Sequence, residues 1–251
     1  MPVKKEIKTK AKVAKTPKAT KAPKVVKMSK ASNISLETLL EAGAHFGHQA
    51  RRWNPKMAEY LYGIQDGVHV FDLVKTKEKL EEALAFLKES KKAGKKILFI
   101  GTKKQAQEKV REVAEATGSF YITQRFLGGT FTNFEQIKKS IRKLADLKEK
   151  MSNGEFATYT KKEKLLIARE IEDLEKNFSG IANLTNIPDI VFIVDTHREF
   201  GAVAESKRMG VTVIGIVDSN GDPDIDYPIP MNDDAVKAID YVLDLVKQAL
   251  S

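Results

Sequence analysis

The sequence predicts an α/β fold, with a parallel sheet covered by helices on both faces. It adds a protruding antiparallel coiled-coil hairpin and a disordered basic N-terminal tail. Three observations carry this reading. From residue 68 short apolar runs alternate with helical patterns, as strands of a parallel sheet and their crossover helices do. Residues 132–178 keep an apolar seam between charged flanks, the pattern of paired helices. Residues 1–30 hold eleven Lys, one Glu and no aromatic residue, which leaves nothing to bury.

Taken in order, residues 1–32 read as the tail, with Pro2, Pro17 and Pro23 and self-repelling charge opposing any regular structure. Residues 33–131 and 179–251 are assigned to the α/β domain. Leu36, Leu39 and Leu40 start a helix that runs into Gly43 and then a segment without regular period. Val68–Phe71 reads as a short strand, and a helix over about 75–93 turns Leu80, Leu84 and Leu87 inward and stops at Gly94. Ile97–Ile100 is a buried strand, followed by a helix over about 103–117 ending at Gly118 and a strand over Phe120–Thr123. Ile190–Val194 and Val211–Val217 are apolar strands around a helix near 199–209 that stops at Gly210. A last helix, about 233–250, starts at Asn232.

The hairpin is assigned to residues 132–178. Thr132-x-x-Glu135 reads as a capping box, followed by Ile137, Ile141, Leu144, Leu147 and Met151. Ser152-Asn153-Gly154 breaks the helix, and a second box, Thr160-x-x-Glu163, opens a helix with Ile167, Ile171, Leu174 and Phe178 on one side. Its flanks offer protein-docking charges, among them Lys138 and Arg142 on the first helix and Glu170 and Asp173 on the second.

Charge is unevenly placed. The chain carries +9 overall, yet the tail alone accounts for +10 and the rest holds 32 cations against 33 anions. Within that rest, residues 31–188 carry 27 cations and 21 anions, and residues 189–251 carry 5 and 12. One face suited to a polyanion and another turned to solvent or basic proteins follow from this asymmetry. With no cysteine, neither disulfides nor thiolate metal sites are expected, in keeping with a reducing cytosol. No apolar run approaches membrane-spanning length, and the N-terminus lacks the apolar core of a signal peptide.

Enzyme chemistry finds little support in the motifs. Gly101-Thr102-Lys103-Lys104 joins a strand to a helix, a placement that suits an anion, but neither a full P-loop nor G-x-G-x-x-G occurs. Lys103 and Lys104 are therefore assigned to RNA phosphates or solvent. The run Asp218-Ser219-Asn220-Gly221-Asp222-Pro223-Asp224 fails the EF-hand pattern and reads as a turn capped by its own carboxylates. His45 and His48 have no third ligand nearby in sequence, and His197 has no nucleophile motif, so structural roles are expected, with no metal and no cofactor. The rival classes are an enzyme using the crevice at the strand C-termini and a protein-only adaptor working through the hairpin.

Residues 39–57 are the most informative stretch. They combine Arg51, Arg52 and Lys56 with the only tryptophan, Trp53, two histidines and Asn54-Pro55. Guanidinium groups beside an indole suit phosphates and unpaired bases, so Arg51, Arg52, Trp53, Asn54 and Lys56 are assigned to RNA, with a core anchor that fixes the loop to the sheet as the alternative role for Trp53. Arg125 beside Gly128-Gly129 would let a nucleic-acid backbone approach the root of the hairpin closely.

Five segments together carry a resemblance: residues 39–57, Val68–Thr76, Ile97–Glu108 (ILFIGTKKQAQE), Gln124–Phe134 (QRFLGGTFTNF) and Val217–Asp234 with its DSNGDPD and NDD elements. In order and spacing they resemble the bacterial small-subunit ribosomal protein S-two family across residues 33–250. Phe126 stands where that family usually has Trp, and Gly221 where Cys is frequent; neither change threatens the fold. The resemblance implies a Rossmann-like parallel α/β domain and a non-catalytic structural protein on the cytoplasmic ribosome. It would bind small-subunit ribosomal RNA and neighbouring small-subunit proteins, and in many members helps dock ribosomal protein S-one. No membrane or small-molecule substrate is implied.

Overall fold

The computed structural model of the chain describes residues 34–251, and the Lys-rich tail expected over residues 1–32 lies outside them. The described part begins with helix α1 (Leu36–Glu41), capped by the Ser35 hydroxyl, which accepts from the Thr38 N–H. Three short strands follow: β1 (Phe46–Gln49), β2 (Leu61–Gln65) and β3 (Val68–Phe71), in the order β1-β3-β2 and antiparallel throughout. Val68–Phe71 thus does not join the parallel sheet. It is the centre of a separate small sheet whose outer strands lie in segments without a clear period. A four-residue strand is stabilised by what flanks it, and alternation in such short strands is too brief to register.

Helix α2 (Leu73–Lys92) is capped by Asp72, whose carboxylate accepts from the Val74 N–H, and buries Leu80, Ala83, Leu84 and Leu87. Strand β4 (Ile97–Ile100), helix α3 (Gln107–Thr117) and strand β5 (Phe120–Ile122) follow, with Gly118 ending α3 at φ 65° in the left-handed region. The paired helices are α4 (Phe134–Ser152) and α5 (Lys161–Phe178). Strand β6 (Ile190–Val194), helix α6 (Phe200–Met209), strands β7 (Thr212–Val217) and β8 (Tyr227–Pro230) and helix α7 (Val236–Leu250) complete the fold.

The large sheet has the order β5-β4-β6-β7-β8, and every pairing in it is parallel. Alternate side chains of its strands go to opposite faces. Ile97, Phe99, Ile190, Phe192, Ile214 and Ile216 meet α2, α3 and α7 on one face. Leu98, Ile100, Val191, Ile193 and Val213 meet α6 and the buried residues Phe134, Ile137, Leu144, Ile171 and Phe178 of α4 and α5 on the other. Burial on both faces is why these strands read as unbroken apolar runs. Strand β8, with Pro228 and Pro230, was not foreseen; as an edge strand it tolerates residues that cannot donate on the open side.

Three of the differences from the sequence reading have a local cause, a residue engaged elsewhere. Helix α3 starts at Gln107 rather than near 103, since Lys103 turns inward and its carbonyl accepts from the Ala106 and Gln107 N–H groups. Helix α7 starts at Val236; Asn232 instead donates to the Gly43 carbonyl and accepts from the Asp234 N–H. The expected box at Thr132 does not form. Asn133 is the cap of α4, and the Thr132 N–H and hydroxyl both donate to Glu205 on α6. The second box, Thr160 with Glu163, forms as expected at the start of α5.

Candidate nucleic-acid interface

The loop of residues 49–57 is built from two 3-10 turns, Ala50–Arg52 and Pro55–Tyr60, joined through extended backbone at Trp53 and Asn54. Asn54 caps the second turn and also fixes the loop to the parallel sheet. Its N–H donates to the Ser219 carbonyl at 2.7 Å and its side-chain amide to the Gly221 carbonyl at 2.8 Å. The His48 N–H donates to the Ser219 hydroxyl at 2.7 Å. A side chain at position 47 would bring its Cβ within 2.9 Å of that hydroxyl, so glycine is what permits this approach. Asn54, assigned to RNA from sequence, therefore anchors the loop.

Of the other assigned residues, Arg51, Arg52 and Lys56 are exposed on this loop, and Lys104 and Arg125 are exposed elsewhere. Lys56 pairs with Asp222 at 2.7 Å, which raises the ammonium pKa and lowers that of the carboxyl. Arg51 donates from Nε to Gln49. Trp53 is 37% exposed and lies over the His69 imidazole, ring centroids 4.9 Å apart.

Lys103 is the clear correction. It is 9% exposed and does not face outward. Its ammonium lies 2.7 Å from Asp233, 2.5 Å from Asp234 and 3.5 Å from Asp195. These groups come from the C-terminal ends of β4, β6 and β8, and Asp218 after β7 completes the ring. Desolvation opposes the Lys103 charge, yet its hydrogen bonds to Asp233 and Asp234 and the nearby carboxylates raise its pKa overall. Burial pushes Asp233 up to about 8, helped by the Asp218 and Asp195 charges and opposed by Lys103. Asp195 itself sits at φ 67°, a left-handed conformation rare outside glycine, held by its carboxylate accepting from the Arg198 N–H.

His48 closes the ring from the small sheet, with Nδ1 3.1 Å from Asp218 and Nε2 3.7 Å from Asp234. Its hydrogen bond to Asp218 raises its pKa, against burial. Sequence offered no third ligand for a histidine; the fold supplies three. One ligand atom each from His48, Asp218, Asp233 and Asp234 lies within 4.8 Å of the others, so among the described residues this group could hold a divalent cation. His45 is not among them: its ring packs on Phe46 at 4.0 Å and burial lowers its pKa. No linear spacing could have exposed this group, because its members are joined only by the convergence of strand ends.

The turn after β7 behaves as read. Asp222 accepts from the Asp224 N–H, Asp224 pairs with Lys207 at 2.8 Å, and Asp226 accepts from the Val213 N–H. Its carboxylates diverge, and only Asp218 joins the buried ring.

On the helix pair, Lys138 is tied to Glu135 and lies 5.1 Å from the Phe134 ring centroid, while Arg142 and Asp173 are exposed. Lys143 pairs with Glu170 and Lys148 with Glu175, so part of the charge on each helix is neutralised by the other.

In open α/β sheets ligands enter the crevice at the strand C-termini. Here that crevice holds Lys103 and its carboxylates and is covered by His48 and the Ser219-anchored loop. The family model for ribosomal protein S2 matches residues 39–251. The chain belongs to the ribosomal protein S2 family. It is 45% identical over 218 residues to the small ribosomal subunit protein uS2 of Coprothermobacter proteolyticus, covering 86% of this chain and 81% of that one. It is 50% identical over 207 residues to the protein of the same name in Roseiflexus sp. strain RS-1, covering 82% and 79%. Membership in the S2 family makes this a structural, non-enzymatic constituent of the small ribosomal subunit in the cytoplasm. Among the described residues no helix is long and apolar enough to cross a membrane.

Proposed function

We propose that the chain binds small-subunit ribosomal RNA through the loop carrying Arg51, Arg52 and Trp53, with Lys104 and Arg125 as further phosphate contacts. The observation that supports this most is the clamping of an exposed, doubly cationic turn onto the sheet by Asn54 and His48. A loop already held in place loses little conformational freedom on binding. Lys56 contributes less than its charge suggests, because Asp222 already neutralises it. The Lys-rich tail adds sequence-independent affinity through counterion release.

The helix pair serves in this reading as a separate coiled-coil docking arm for neighbouring small-subunit proteins, ribosomal protein S-one among them. Exposed Met151, Tyr159, Leu165 and Leu166 lie at the end of α4, in the connection after it and at the start of α5, and they supply apolar contact on the same arm as exposed Arg142 and Asp173. Subunits assembled with an Arg51→Gln/Arg52→Gln chain test the loop. Incorporation should fall, and the salt dependence of RNA binding should flatten by about 0.7–0.9 per lost contact. Unchanged incorporation and slope would remove the loop from the interface. Replacing residues 136–176 by a short Gly-Ser turn tests the arm: subunits retaining their full protein complement would show it dispensable.

A further inference from the structure

His69 sits at the centre of the small sheet, 5% exposed, and among the described residues neither of its ring nitrogens has a hydrogen-bond partner. A buried imidazole left in that state is unusual, because both nitrogens lose water and gain nothing. Its cover is Trp53, a ring whose face cannot satisfy it and which is itself 37% exposed. Ile64 is the cross-strand partner of His69, so the two side chains share one face of the sheet, and Ile64 is 61% exposed. Arg51 and Arg52 immediately precede the indole and are exposed. An apolar wall, a half-exposed aromatic plate and two unspent polar atoms therefore converge beside two guanidinium groups.

We propose that this is a binding site for one unpaired nucleobase, with His69 as the residue that reads the base edge. The indole swings off the imidazole and stacks on the entering base, Ile64 contacts the base's other edge, and the His69 nitrogens gain the partners they lack. Arg51 and Arg52 take the flanking phosphates. An imidazole carries two ring nitrogens able to donate or accept hydrogen bonds, which suits the mixed edges of a base. This rests on the loop being an RNA-facing element and adds to it a specific nucleotide pocket.

Trp53 is the only tryptophan in the chain, so its emission reports on the site directly. The full chain is titrated with a short single-stranded oligoribonucleotide and with its abasic counterpart of equal charge. The tail and the arginines act alike on both. The base-bearing strand should shift the emission and bind about tenfold more tightly, the size of one base–aromatic stack. His69→Phe, which leaves the Trp53 stack in place and removes the ring nitrogens that read the base edge, should lower that preference about threefold, the size of one lost hydrogen bond. Equal affinities in the native chain, or undiminished discrimination in His69→Phe, overturn the pocket. Arg51→Gln/Arg52→Gln should weaken both strands alike; no loss there overturns the loop reading, whereas the base-against-abasic comparison alone decides the pocket.

Discussion

The carboxyl end of the parallel sheet and the α4–α5 pair are both rich in charge, yet they use it in opposite ways. At the sheet end a few charges are dehydrated and held by partners from distant parts of the chain. Asp195, Asp218 and Asp233 are each no more than 8% exposed, with Lys103 at 9% among them. On the helix pair charges are numerous and exposed, with partners three or four residues away or directly across, as in Lys138–Glu135, Lys176–Glu172 and Lys143–Glu170. Removing one partner from a buried group strands the others, whereas removing an exposed one leaves its partner to water. The first arrangement makes a fixed platform for the 49–57 loop; the second makes a surface.

The largest expected effect breaks the platform. Lys103→Met should cost about 3–5 kcal/mol in urea unfolding, since it leaves Asp233 and Asp195 buried beside each other without a cation. A loss below ~1 kcal/mol would mean the cluster contributes no more than the surface does.

Next comes Glu205, which joins the two faces of the comparison. From α6 it accepts from the Gly129, Phe131 and Thr132 N–H groups at 2.5, 3.0 and 3.2 Å, and these bonds lower its pKa against the effect of burial. Glu205→Ala should cost about 2–3 kcal/mol, the size of lost charge-assisted bonds together with the amides left behind. Hydrogen exchange should accelerate at residues 129–132 before anywhere else.

A smaller effect sharpens the electrostatic account. Asp233 and His48 both have raised folded-state pKa values. A raised value contributes stability that is complete below the unfolded pKa and is lost as pH rises through the folded one. Stability measured with a chelator present should therefore decline as pH rises toward and through about 8, the value of Asp233. Asp233→Asn should flatten that decline, by about 1.4 kcal/mol for each pH unit over which folded Asp233 keeps a proton that the unfolded chain has lost. An unaltered pH slope would place the titrating proton elsewhere.

The smallest effect is expected on the arm. Lys143→Ala and Lys148→Ala should each change stability by less than about 0.5 kcal/mol, because the pairs with Glu170 and Glu175 are solvated. A loss above ~1 kcal/mol in either would make the pair as structural as the platform.

What could be read along the chain was what repeats locally. The unbroken runs Ile97–Ile100 and Ile190–Val194 declared buried parallel strands, and the four-three spacing of Ile137, Ile141 and Leu144 declared an apolar helix face. Local geometry also sufficed for the Thr160–Glu163 box, where both partners lie within one turn. The same motif at Thr132 failed because Glu205, remote in sequence, competes for the same donors.

The sequence by itself determined the α/β class, most helices, the sheet's central strands and the family, since these rest on periodicity and on ordered motifs. Only the tertiary structure decided where the charges of the site go. Lys103 belongs to a buried ring, Asn54 to an anchor, and His69 to the layer beneath Trp53. A side chain's exposure and partners depend on which strand ends meet in space, and that meeting is set by the packing of the whole sheet rather than by any residue's neighbours.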